Sequence, residues 1–297
     1  VSSAPATLSQ VRAFGSLVRL SHSVFALPFA LLSLLAATNG RPSWQLLALV
    51  VAAVVTARTA AMAYNRFADR AIDAANPRTR DREIPRGAVT PAAALALTAL
   101  AGAAFVACCW LLAPICGWLS LPTLLWLLGY SHVKHFSSLC HLWLGVALGI
   151  SPLAAWLAAD GAFGERTIAP AILGVAVACW VAGFDVLYAC QDEQFDRAHG
   201  LRSLPARFGA AASMRIARGL HLLALTGFVS FGLLVPFGWL YQAGIAVAAG
   251  LLVWQHRLLR PGDLSRIHTA FFTANGTIAV VVFLVGCVDL YVLRGGS

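Results

Sequence analysis

Apolar runs of about twenty residues recur along the whole of this chain, and they restrict its fold more than any other feature. A bilayer core of about 30 Å takes roughly twenty residues of helix to cross. The sequence offers nine such segments, at 17–38, 44–66, 91–112, 114–133, 139–160, 168–192, 214–235, 237–255 and 268–292. Only 11% of the 297 residues are charged and 60% are hydrophobic, whereas a soluble domain carries about 25% charged residues. The expectation is an all-α polytopic membrane protein of nine helices, one domain over 1–297.

A net charge of +9 raises nucleic acid as a partner, but the basic residues form no single patch. They sit in the gaps between spans. With nine helices, Arg12, Arg19, Arg66, Arg70, Arg78, Arg80, Arg82, Arg86, Lys134, Arg197, Arg202, Arg207 and those after them to Arg266 share one side, leaving Arg41, Arg166 and Arg294 on the other. Loops rich in Lys and Arg stay cytoplasmic, so the N-terminus and the charged loops are expected inside. The first segment contains Pro28 and lacks a small-residue cleavage pattern, so it reads as a true span. The seven cysteines show no CxxC pairing and read as packing residues.

One segment breaks the pattern. Asn65 to Gly87 holds four acids and six arginines within twenty-three residues. Asn65, Asp69 and Asp73 are spaced i, i+4, i+8, and Asp185, Tyr188, Asp192 and Asp196 are spaced i, i+3, i+7, i+11. At 3.6 residues per turn each set falls on one helical stripe. Both stripes start inside apolar runs, AAMAYN and VAGFDVLYAC. A carboxylate there costs roughly 2.5–3.5 kcal/mol on the mildest scale, and such groups mark function. Two facing acidic stripes repel unless cations lie between them.

Hard oxygen ligands select Mg²⁺ or Mn²⁺, and substrate phosphates commonly complete the Mg²⁺ octahedron. The neighbouring arginines and Lys134 suit phosphate oxygens. Acids for metal and bases for phosphate together describe a diphosphate site at the edge of an apolar cavity. For Arg78, Arg80 and Arg86 a solvated loop that only sets topology is an equal reading.

These residues resemble the UbiA superfamily of intramembrane aromatic prenyltransferases. Its NDxxDxxxD stripe is matched by Asn65, Asp69 and Asp73, with Arg66 in place of the frequent second-position acid. Its DxxYxxxDxxxD stripe is matched by Asp185, Tyr188, Asp192 and Asp196. REIPRG (Arg82, Pro85, Gly87), YSHVK (Tyr130, Lys134) and the pair Gly200 and Ser203 match its flanking motifs. SHSVFALPFA, ARTAAMAYNR and NPRTRDREIP look most like the bacterial 4-hydroxybenzoate polyprenyltransferase-like branch, part of which is linked to naphthoate prenylation in menaquinone synthesis. Arg66 removes one possible metal ligand.

The resemblance implies helices surrounding a central cavity with a cytoplasmic polar cap, in the bacterial inner membrane. It implies Mg²⁺-assisted ionisation of a polyprenyl diphosphate and attack by an aromatic acid, 4-hydroxybenzoate or a dihydroxynaphthoate, in ubiquinone or menaquinone biosynthesis. Besides the two substrates and the lipid bilayer it implies no protein partner. Asn65, Asp69, Asp73, Asp192 and Asp196 are then the metal and diphosphate residues, with Asp185 or Asp192 as base for the phenol. Arg70, Arg82, Tyr130 and Lys134 hold the leaving group. Tyr188 supports the allyl cation or is a packed core tyrosine. An acceptor carboxylate needs its own cation: Arg58, seven residues before Asn65, is one, and Arg19 is the rival. His22 lines the acceptor pocket or is a satisfied interior histidine.

An alcohol phosphatidyltransferase would gather its acids in one compact motif. A transporter of a cation or phosphate ester would more often show broken helices and charge near the midplane. Here two stripes lie toward one face.

Overall fold

The computed structural model describes residues 25–235 and 237–293. Arg19 and His22 lie outside the described residues. The main helices are α1 (Leu27–Ala37), α2 (Trp44–Ala68), α3 (Arg70–Ala75), α4 (Pro91–Leu112), α5 (Pro114–Phe136), α6 (Cys140–Asp160), α7 (Ile168–Ala189), α8 (Glu193–Ala198), α9 (Leu204–Leu234), α10 (Trp239–Leu258) and α11 (Asn275–Val288). Among the described residues there is no β-strand. Among the described residues six helical segments are long and apolar enough to cross a membrane: Trp44–Ala68, Pro91–Leu112, Cys140–Asp160, Glu165–Ala198, Leu204–Leu234 and Thr269–Tyr291. The other expected spans are helical over Leu27–Ala37, Pro114–Phe136 and Trp239–Leu258.

Local chemistry sets the helix ends. Ser43, Thr90 and Ser203 each accept a first-turn amide through the side-chain hydroxyl, and proline stands at the start of α4, α5 and α9. These are residues that satisfy, or do without, the orphan donors of a first turn. Helix α9 begins ten residues before the apolar span expected at 214–235. Its N-terminal segment is broken from the rest at Gly209, whose φ of 78° suits glycine. The Glu193 carboxylate accepts the Ala210 amide at 2.9 Å, recapping the helix beyond the break and tying α8 to it.

Two apolar clusters hold the bundle. One joins α1, α6, α7, α9, α10 and α11 around Phe29, Trp180, Phe228 and Tyr241. The other joins α1, α2, α4, α5 and α6 around Leu34, Val50, Phe105 and Leu157. In lipid the association of helices relies on close packing rather than on exclusion of water. Helices α6 and α7 meet that requirement with small residues: a Cβ on Gly149 would strike the Gly174 carbonyl, and one on Gly145 the Ala178 carbonyl. Gly149→Val is therefore expected to force the two helices apart at a cost of about 3 kcal/mol, the upper end for overpacking. Size-exclusion profiles after graded heating of the detergent-solubilised protein should show a lower Tm or no monodisperse peak.

Helices α5 and α6 are joined by a reciprocal clasp. Trp126 and Trp143 stack at 3.8 Å with planes 8° apart, and each indole N–H donates to the other's backbone carbonyl, at 3.2 and 2.9 Å. Pairing both indole donors in this way avoids leaving a buried polar group unsatisfied. It also fixes the helix carrying Tyr130 and Lys134 against the one carrying His141.

Candidate active site

The two acidic segments, far apart in the chain, line one polar cavity of about 190 Å³ together with Tyr130, Lys134, Arg78 and Arg82. The stripes are not the straight helices the spacing predicts. Helix α2 stops at Ala68, and Asp69 is the turn residue before α3. Likewise α7 stops at Ala189, and a 3₁₀ turn over Cys190–Asp192 leads into α8. Both segments thus bend at their middle aspartate. Asp69, Asp73, Asp185, Asp192 and Asp196 still line the same space.

The aspartates are held by bases. The Lys134 ammonium lies 2.8 Å from Asp69. Arg82 Nη1 donates to both oxygens of Asp73, at 2.7 and 2.9 Å. Arg78 grips Asp192 through Nε and Nη2, and Asn76 Nδ2 adds a bond to the same carboxylate at 3.1 Å. Burial works against the charge of Arg78, but the bond to Asp192 together with the charges of Asp192, Tyr188 and Asp73 outweighs it and holds the guanidinium above its ordinary pKa. The same guanidinium sits over the Tyr188 ring, 5.4 Å from the centroid, while Tyr188 packs against Phe271 at 4.3 Å. Tyr188 is therefore both a cavity wall and a packed aromatic.

Asn65 donates through Nδ2 to Asp69 Oδ2 at 3.0 Å and to Ser131 Oγ at 3.3 Å. Arg66 is buried, its Nε 3.6 Å from Glu83, so the residue in the acid's place anchors the loop after α3. Arg70, expected at the leaving group, is placed elsewhere. One residue past Asp69 it points about 100° around the helix, donates to the Phe67 carbonyl at 2.7 Å, rests over the Phe67 ring and does not line the cavity.

Sequence reasoning passed over His141, Ser131 and Asn76 and left Arg78 undecided. His141 bonds to Asp185 at 2.7 Å. Asn76 folds the loop: its Oδ1 accepts the Arg78 amide at 2.9 Å, a local turn typical of Asn, and this aims Arg78 at Asp192. The NP dipeptide at Asn76 and Pro77 was the available signal.

Asn65 and Tyr130 also line a second cavity of about 200 Å³, walled by α2, α4, α5 and α6 and almost wholly apolar. Its exception is Arg58, whose Nε is buried with no hydrogen-bond partner among the described residues. The polar cavity and the apolar one therefore adjoin, with Asn65 and Tyr130 in the walls of both.

The residues present fit a divalent cation chemically. The donor set is carboxylate and amide oxygen, and Asp69 Oδ1 is buried with no hydrogen-bond partner among the described residues, an unmade bond that costs about 1–3 kcal/mol. Among the described residues no three acidic, His or Cys side chains converge as a metal cage; each of Asp69, Asp73 and Asp192 faces a cation instead.

Fold and site define an all-α integral membrane protein whose polar cavity pairs aspartates with arginine and lysine beside an apolar chamber. Residues 26–276 match the UbiA prenyltransferase family, and the chain belongs to it. The 4-hydroxybenzoate octaprenyltransferase of Saccharophagus degradans is 31% identical over 280 residues, 93% of this chain and 92% of that protein. That of Vibrio parahaemolyticus is 29% identical, over 92% and 93%. Among solved structures, an apo UbiA homologue from Aeropyrum pernix K1 superposes with a TM-score of 0.82 at 32% identity, covering 90% of this chain and 98% of that one. A UbiA homologue from Archaeoglobus fulgidus bound to GPP and Mg²⁺ shares the fold, with a TM-score of 0.70 at 15% identity over 94% of this chain and 100% of that one. The protein is a prenyltransferase.

Proposed function

We propose that the chain transfers a polyprenyl group from a polyprenyl diphosphate to an aromatic acid, 4-hydroxybenzoate foremost, for respiratory quinone synthesis. It does so as a single nine-span domain in the bacterial cytoplasmic membrane, with the N-terminus and the polar cavity at the cytoplasmic face. The observation that carries this is the junction at Asn65 and Tyr130, where a cavity for a charged headgroup meets one for an apolar chain. The names of the relatives supply the acceptor, and the homologue bound to GPP and Mg²⁺ supports the donor and the ion.

Asp69, Asp73, Asp192 and Asp196, with Asn65, would hold Mg²⁺. When bound, the ion neutralises charge gathering on the departing diphosphate. Arg78, Arg82 and Lys134, released from their aspartates, grip the diphosphate oxygens, and such preorganised charge is usually the largest catalytic contribution. The allylic C1–O bond breaks and its electron pair leaves on the diphosphate. The apolar chamber keeps water from the allyl cation. The ring carbon beside the hydroxyl then bonds to C1 as Asp185 takes the phenolic proton. The ring proton passes to the released diphosphate and Asp185 returns its proton to oxygen, which restores the aromatic ring. Arg58 pairs with the acceptor's carboxylate.

Membranes carrying the protein, given radiolabelled polyprenyl diphosphate and Mg²⁺, should label 4-hydroxybenzoate and lose that activity in EDTA. Labelling of a dihydroxynaphthoate alone would reassign the acceptor. No labelled aromatic acid at all would overturn the reading.

A further inference from the structure

Asp185 lies within α7, and its partner is a histidine on a different helix. His141 is buried, the second residue of α6, and its Nδ1 lies 2.7 Å from Asp185 Oδ2. Its other nitrogen is also committed: the Leu204 amide, at the start of α9, donates to His141 Nε2 at 3.3 Å. A backbone N–H can only donate, so Nε2 must present its lone pair. The ring proton then sits on Nδ1 and points at Asp185.

This leaves the ring no freedom. A proton added to Nε2 would face the Leu204 N–H, and the other tautomer would lose both bonds. Leu204 N is one of the first-turn donors that a helix leaves unsatisfied; Ser203 already serves Ala206, so His141 serves Leu204. The loop before α9 is further fixed to α5 by the Arg202 amide on the Lys134 carbonyl at 2.7 Å and by the Arg202 guanidinium on the Phe136 carbonyl at 2.9 Å. The imidazole is therefore braced by backbone from a neighbouring helix. Among the described residues no hydrogen bond holds the second oxygen of Asp185, and Asp185 lines the polar cavity together with Tyr130 and Asp196.

We infer that His141 is a positioning residue: a fixed Nδ1–H donor that keeps the Asp185 carboxylate aimed, so that its second oxygen accepts the phenolic proton of the aromatic acid. The role rests on the prenyl-transfer reading above and adds to it the group that orients the base. His141 takes up no proton itself. In the transfer step the phenolic proton moves to Asp185 Oδ1 and returns once the ring proton has left, while the Nδ1–H bond stays in place throughout.

The test uses the full-length protein in detergent or nanodiscs, with Mg²⁺, polyprenyl diphosphate and 4-hydroxybenzoate. His141→Leu removes the donor, and His141→Asn keeps an N–H near the position of Nδ1. The leucine variant should lose about 100-fold in kcat, the lower range for a general base, with the KM for polyprenyl diphosphate within about threefold of wild type. The asparagine variant should return to within about tenfold of wild type. Because the two residues act as a unit, His141→Leu combined with Asp185→Asn should be no slower than Asp185→Asn alone. Wild-type kcat in the leucine variant, or losses that multiply in the double variant, would overturn the assignment.

Nitrogen-15 spectra of histidine-labelled protein give a readout independent of turnover. The resonances that vanish in His141→Asn should be those of an Nδ1–H tautomer at neutral pH. An Nε2–H tautomer or an imidazolium there refutes the clamp, whatever acceptor the enzyme uses. Failure of every aromatic acid to react would instead sink the functional reading and leave the tautomer to decide this one.

Discussion

Asp192→Asn is expected to abolish prenyl transfer, lowering kcat by at least about a thousandfold, as loss of a metal-binding charge does when electrostatics carries the reaction. Asparagine keeps the shape of the side chain and its bond to Asn76, so the fold should survive. What disappears is one negative charge, and with it the partner of the Arg78 guanidinium. Arg78 is 32% exposed in its side chain, so water replaces the lost pair at a cost to stability of no more than about 1 kcal/mol. Asp69→Asn should be as inactive but less stable, because Asp69 is only 5% exposed and already has one oxygen without a partner. Label transfer at saturating Mg²⁺, followed in parallel with Tm, separates the two effects. Turnover within tenfold of wild type in either variant would mean that the acidic segments do not hold the ion.

Those segments were legible because helices write themselves into sequence with a fixed period. Asn65, Asp69 and Asp73, and Asp185 through Asp196, could be placed on common faces without coordinates, and the structure brings both sets to one cavity. The period is also where the reading went too far. It assumes an unbroken helix, whereas the backbone turns at Asp69 and again at Cys190–Asp192. Residues 76–90 have no period at all, so the turn that aims Arg78 depends on side-chain bonds made by Asn76 and Thr79. His141 was hidden for a different reason. It opens an apolar span, where a lone histidine reads as a boundary residue, and its meaning comes from Asp185 and Leu204, both distant in sequence. Arg58 lay at the other extreme: a single arginine within a span is expensive enough to be read as functional from sequence alone.

That expense makes a second large prediction. Arg58 Nε is buried and, among the described residues, has no hydrogen-bond partner, in a cavity whose other walls are almost all apolar. A guanidinium with a buried, unpaired nitrogen destabilises the protein that carries it, and such a cost is tolerated where a ligand supplies the missing partner. Arg58→Met, which keeps the length and drops the charge, should therefore raise Tm by several degrees, since about 1–3 kcal/mol of burial cost is relieved. The same change should raise the KM for 4-hydroxybenzoate by about 100-fold, the worth of a charge-assisted bond to a carboxylate. The KM for polyprenyl diphosphate should stay within about threefold, because the headgroup is held by Arg78, Arg82 and Lys134 in the adjoining cavity. Thermal unfolding and steady-state kinetics on one purified preparation measure all three. A variant that gained stability yet bound the acceptor normally would move the carboxylate site elsewhere. One that lost both stability and affinity would make Arg58 a structural residue of the apolar chamber.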